Sequence, residues 1–162
     1  MPSSVRVNRG FAATFSLISA VSLIACGSSK KSAVPPSCPP SASIASIMGT
    51  TVGAPRVTRT TVSLSCLYQP DGGGFSVSVN QSNLTVSQFQ AAQAAGASAF
   101  HQSPTPVAGY GRAAYIQSAN GATFFGILTG SDLVTITGKL STTEAESLAH
   151  YVLAHLPGAT GT

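Results

Sequence analysis

RAAYIQSANGATFFGILTGSDLVTI, Arg112 to Ile136, holds three apolar runs and two turns. Arg112 to Gln117 reads as a strand. Asn120-Gly121 then supplies the pair that tolerates positive φ at both centres of a tight hairpin turn. Thr123 to Leu128 returns, Gly130-Ser131-Asp132 turns again, and Leu133 to Ile136 makes the third run. Strands joined by such short turns pair antiparallel, so this stretch predicts a meander.

Working outward, Ser141-Thr142-Thr143-Glu144 resembles a capping box and opens a helix carrying Leu148, Tyr151, Val152 and His155. Acids stand in its first turn and histidines later, as the helix dipole prefers. Pro157-Gly158 ends it. Upstream, Pro104 and Pro106 break a loop from Ala97 to Ala108. Before that, Thr85 or Ser87 caps a helix through Gln88, Phe89, Ala92 and Ala95, with Gly96 as its expected stop. Further back, Val62, Leu64, Cys66 and Tyr68 alternate along one face, and Phe75, Val77 and Val79 do the same beyond the turn cluster Pro70-Asp71-Gly72-Gly73-Gly74. This is a hairpin with one buried and one wet face. Val52 to Val57 adds a candidate strand before it. A short helix from Pro39 to Met48 carries Ile44, Ile47 and Met48 at helical spacing and stops at Gly49. The expected fold is α+β: an antiparallel sheet of about five to six strands with helices mainly on one face. A helix followed by a meander occurs twice, a pattern that a duplication would leave.

The beginning of the chain is of another kind. Met1 to Gly10 carries Arg6 and Arg9 and no acid, and Phe11 to Ala25 is apolar or small. That is the layout of a signal peptide, and the run is shorter than the roughly 20 residues of a spanning helix. Leu23-Ile24-Ala25-Cys26 resembles the bacterial lipobox. The resemblance implies cleavage between Ala25 and Cys26 and a diacylglyceryl group on the Cys26 sulfur, making residues 1–25 a leader. Two acyl chains hold a protein stably, at about 0.8 kcal/mol per buried methylene. The mature chain is then expected on the outer face of a cell membrane or envelope layer. Residues 26–37 read as a lipidated tether, since Gly27 to Ser37 (GSSKKSAVPPS) is almost without large apolar residues. Its eleven residues reach about 36 Å when extended. Residues 38–162 have the size of a single domain.

The whole sequence has a formal net charge of +4. Arg6 and Arg9 belong to the leader, and Lys30 and Lys31 to the tether, where each would gain about 1 kcal/mol against anionic headgroups. The domain itself sets Arg56, Arg59, Arg112 and Lys139 against Asp71, Asp132, Glu144 and Glu146 and is neutral. Nucleic acid is not an expected partner, because counterion release needs a concentrated basic face.

With Cys26 taken by lipid, Cys38 and Cys66 remain in a compartment that permits oxidation, and they are expected to pair. In the chain-entropy model, closing a loop of roughly 29 residues stabilises by about 3–4 kcal/mol. A metal or redox pair is the alternative, although a distant pair without clustered histidines lacks ligand spacing.

The arrangement of Cys38 before a helix ending Met48-Gly49, then Cys66-Leu67-Tyr68 on a strand, is similar to that of small mycobacterial and actinobacterial cell-envelope lipoproteins of unknown function. So are Val107-Ala108-Gly109-Tyr110-Gly111-Arg112-Ala113-Ala114-Tyr115 before a meander and a last helix ending Leu156-Pro157. Those proteins usually carry an acid where Arg112 stands and Trp where Tyr68 stands. The resemblance implies an envelope location, a Cys38–Cys66 disulfide and an α+β fold of the PsbP-like kind. It supplies no catalytic residue.

No catalytic constellation emerges from the residues either. Gly109-x-Gly111-x-x-Ala114 follows a broken loop and opens a strand, whereas a dinucleotide fingerprint follows a strand and opens a helix. His150 and His155 are five apart and do not share a helix face as i, i+4 ligands would. His101 lies in a loop with no acid beside it, Glu144 and Glu146 point to different sides, and no G-x-S-x-G elbow occurs. No metal or cofactor is expected. The expected function is a non-enzymatic binding module of the envelope, for a lipid or glycolipid or for an envelope protein partner, with membrane contact through Cys26. In the ligand version Arg112 holds an anionic head while Tyr110 and Tyr115 line an apolar mouth. The alternatives are a structural or regulatory interaction protein without a small ligand and, last, a hydrolase.

Overall fold

A computed structural model describes residues 37–100 and 102–156. The leader, Cys26 with its cleavage point, the tether before Ser37, His101 and Pro157-Gly158 lie outside the described residues. The described residues belong to one compact unit.

The fold is α+β: a seven-stranded antiparallel open sheet with three helices. α1 spans Ser41–Met48, β1 Arg56–Arg59, β2 Ser63–Tyr68, β3 Phe75–Gln81, α2 Val86–Phe100, β4 Thr105–Pro106, β5 Ala113–Ala119, β6 Ala122–Leu128, β7 Asp132–Gly138 and α3 Thr142–His155. The strand order is β1-β2-β3-β7-β6-β5-β4, so the two meanders meet along the β3–β7 seam. The sheet has more strands than the residue pattern predicts. The extra pairing is β4, where Thr105 and Pro106 lie against Ile116 and Tyr115 inside the stretch expected to be loop.

The turns form where their chemistry places them. Asn120 and Gly121 have φ of 53° and 75°, so the β5–β6 connection is the two-residue turn whose twist matches the strands. At the start of α3, Ser141 Oγ accepts from the Glu144 backbone N–H, and the Glu144 carboxylate accepts from the Ser141 N–H at 2.7 Å. Thr85 and Gln88 repeat this device before α2: Gln88 N–H donates to Thr85 Oγ1 and Thr85 N–H donates to Gln88 Oε1 at 2.9 Å.

Gly96 does not stop α2, which runs on to Phe100. A glycine inside a helix costs about 1 kcal/mol relative to alanine. That is too little to end a helix whose next residues, Ala97-Ser98-Ala99 apart from its serine, would favour one

. The real barrier is Pro104, which disfavours helix at the residue before it and cannot donate within one.

Alternation sets the two faces. Leu64, Cys66 and Tyr68 of β2, Phe75, Val77 and Val79 of β3, Val134 and Ile136 of β7, and Phe125 and Ile127 of β6 are all buried. They lie on one face because they pair in register: Cys66 with Val77, Val77 with Ile136, and Ile136 with Phe125. α1 and α3 cover this face through Ile44, Ala145, Leu148, Ala149 and Val152. α2 sits on the other face, where the Phe89 ring lies 5.3 Å from that of Tyr115. Two helices therefore share one face, and the third covers part of the opposite one. A two-fold repeat about the sheet normal would put α1 and α2 on the same face, so the paired meanders do not carry the signature of a simple duplication.

Both margins of the sheet are guarded. β1 is fully exposed but begins and ends with arginine, and β4 is two residues long and contains a proline.

Candidate functional site

Cys38 and Cys66 form a disulfide, with their Cα atoms 5.8 Å apart. The bridge ties the segment before α1 to the middle of β2. A second tie lies beside it, where the Tyr68 hydroxyl donates to the Pro39 carbonyl. The ring of Tyr68 stacks on Phe75 at 5.1 Å, and burial followed by the neighbouring Tyr151 pushes its ionisation well above the usual phenol range. The hydroxyl therefore keeps its proton and remains a donor.

These ties create a pocket of about 210 Å³. Ser37 to Pro40 and the disulfide form one wall, Leu64, Val77 and Val79 the floor, and Tyr151, Val152, His155 and Leu156 of the α3 end the opposite wall. The floor residues expose no more than 2 % of their surface. No Asp, Glu, Lys or Arg lines it. Its polar side chains are those of Ser37, Tyr151 and His155, and the rings of the last two stack at 4.2 Å. His155 Nδ1 lies 2.7 Å from the Tyr151 carbonyl oxygen. A carbonyl only accepts, so Nδ1 carries the proton, and in the neutral ring Nε2 is an acceptor.

The residues singled out from sequence do not converge. Tyr110 is buried on the face covered by α3, edge-on to Phe125 at 4.9 Å and 3.0 Å from His150 Nε2 through its hydroxyl. Burial first, and Glu146 second, raise its ionisation. Tyr115 lies on the opposite face between Phe89 and Phe124, 5.6 Å from the latter ring, and burial raises its ionisation too. Arg112 is exposed and uses its backbone N–H to bind the Leu128 carbonyl at 2.7 Å. The reason is parity: Tyr115 and Ala114 are strand neighbours and face opposite ways. The pocket residues Tyr151, Val152 and His155 were visible as a stripe at i, i+1 and i+4, but nothing local showed that the stripe's end would lie over β2 and β3.

A separate polar feature is Asp132, 3 % exposed at the start of β7. Its Oδ2 accepts from Ser131 Oγ at 3.1 Å, while Oδ1 is buried without a hydrogen-bond partner. Burial raises its pKa, against the opposing pull of the Ser131 bond. Among the described residues no group of three His, Cys, Asp or Glu is placed to hold a metal ion, and no helix is long and apolar enough to cross a membrane.

The fold and site define an open-sheet α+β domain with a disulfide-walled apolar pocket. No protein-family model matches the chain, and no curated protein or solved structure matches it.

Proposed function

We propose that this chain is an exported lipoprotein, held to the outer face of a cell membrane or envelope layer through a diacylglyceryl group on Cys26, and that it acts there as a non-enzymatic binding module for a lipid or glycolipid. One observation carries the ligand half of this reading: the apolar pocket of about 210 Å³ whose wall begins at Ser37, the last residue of the tether. Sites for drug-sized molecules usually enclose about 300–1,000 Å³. This one is smaller and fits part of a ligand, as when an acyl chain inserts and its headgroup stays outside. The lipobox pattern supports the anchoring half. No nucleophile, base and orienting group stand together in the pocket, which favours binding over catalysis.

An envelope protein partner is the second reading. It is favoured by Val57 and Val62, which are 56 % and 50 % exposed at β1 and the turn after it.

Native mass spectrometry of the full chain, followed by organic extraction, tests the first reading. A co-purifying lipid mass that is lost on denaturation is the expected result; an apo mass from preparations in which pocket-filling variants behave identically would refute lipid carriage. Labelling with radioactive palmitate tests the anchor, since Cys26→Ser should abolish incorporation and release the protein from the membrane.

A further inference from the structure

We infer that α2 is a lid on the sheet face opposite α1 and α3, released as a unit from Tyr115 while the rest of the fold stays in place. This lid lies away from the disulfide pocket and is independent of the ligand reading.

Little holds α2 down. Among its described side chains only Phe89 is buried, whereas α3 buries Ala145, Leu148, Ala149 and Val152. Phe89 also stands outside the hydrophobic cluster that α1 and α3 cover. Its ring rests on Tyr115 at 5.3 Å, and α2 packs on the sheet mainly at β5. One polar latch follows the helix, where Gln117 Nε2 donates to the Gln102 carbonyl at 2.9 Å. Tyr115 and Gln117 are two apart on β5 and so face the same way. Both attachments therefore hang on one short stretch of one strand.

The ends of this strap are fixed separately. Before α2, the Ser82 N–H donates to the Ser131 carbonyl at 2.7 Å. After it, Thr105 and Pro106 pair with Ile116 and Tyr115 of β5. Release of α2 breaks neither. Between those points the helix has support of its own, in the reciprocal Thr85–Gln88 cap and in a sequence rich in alanine and glutamine. Isolated helices of about 12–15 residues are marginal in water, so α2 melts and re-forms once it leaves the sheet.

What the lid covers is apolar. The Phe124 ring stacks on Tyr115 at 5.6 Å. A half-open hollow of about 270 Å³ adjoins, with Gln117 and Phe124 in its lining. With α2 in place, Phe89, Tyr115 and Phe124 form a continuous row of rings. With α2 released, Tyr115 and Phe124 face water and the hollow extends along β5. Baring that one aromatic contact is the main cost of opening, and it keeps the closed state dominant.

Hydrogen exchange on the full chain, with its disulfide intact, reads the release. The α2 amides should exchange about a hundredfold faster than those of β3 and β7, relative to their intrinsic rates, and with one common opening. Phe89→Ala should speed the α2 amides by about a further tenfold while those of β3 and β7 stay within about twofold. Gln117→Leu removes the latch and should speed the same amides by about fivefold; it carries the comparison by itself if Phe89→Ala does not fold. Protection of α2 equal to that of β7 in the unaltered chain would overturn the lid. So would variants in which α2 and the central strands accelerate together, because α2 would then leave only with the whole domain. Rates graded inward from the two ends of α2 and indifferent to both substitutions would overturn it as well, as simple fraying.

Discussion

Tyr68 donates its hydroxyl to the Pro39 carbonyl at 2.6 Å, across 29 positions of sequence. The bond fixes the pocket wall from the strand side. Tyr68→Phe keeps the ring on Phe75 and removes only this bond. It should cost about 1 kcal/mol in denaturant unfolding. An unchanged midpoint would show that the Pro39 carbonyl finds water at no cost.

The disulfide makes the second tie, and Cys66 is 1 % exposed in the core. Replacing both cysteines with alanine avoids burying a polar group and should cost about 3–4 kcal/mol in the chain-entropy model. The same variant should lose ligand affinity, because Ser37 to Pro40 would no longer be held against β2. Thermal melts with and without reductant provide the check: a melting temperature indifferent to reductant would count against a stabilising role.

Asp132 gives an unusual dependence on pH. Its folded pKa lies above the ordinary aspartate value of about 3.9, so between the two values the folded chain binds more protons than the unfolded one. The contribution of this residue is therefore fully present below the unfolded pKa and is lost as pH rises through the folded pKa. Asp132→Asn should be as stable as the native chain at acidic pH and more stable near neutrality, with a flatter profile between. Chemical denaturation across that range reads it directly; parallel profiles for the two proteins would sink the argument.

Gly126 faces the aromatic layer under α2. A Cβ there would stand 3.0 Å from the Tyr115 ring and 3.1 Å from the Phe124 ring. Tyr115 cannot swing away freely, because Phe89 packs on it from α2. Gly126→Ala should destabilise by about 1–3 kcal/mol through overpacking. Gly126→Ala in a Phe89→Ala background should cost less, since the ring then has room to move; equal costs would mean that the crowding is relieved elsewhere.

Much of the fold was legible because its boundaries are chemical and local. Asn120-Gly121, Ser141 with Glu144, and Gly49 act on their immediate neighbours, and strand alternation identified the buried faces. What failed was of longer range. Gly96 is a weak breaker, and only Pro104 further on ends the helical region. β4 exists because β5 offers it a partner. The facing of Tyr110 and Tyr115 depends on register, so their nearness in sequence does not bring them together in space. The pocket depends on the end of α3 and the first hairpin lining one cavity, a relationship between residues far apart in the chain. The Cys38–Cys66 bridge was the one element of it that could be anticipated, because cysteine pairing is chemically selective over any distance.

The guarded margins of the sheet have a consequence for dense populations of this molecule. Growth of one sheet into another requires a run of free N–H and C=O groups on a strand that will accept a neighbour. Pro106 removes an N–H on one side, while on the other the charged side chain of Arg56 stands on the exposed β1. Copies crowded against one another can thus remain individual bodies, meeting by their faces and separating again, where an unguarded sheet of this width would seed a fibre.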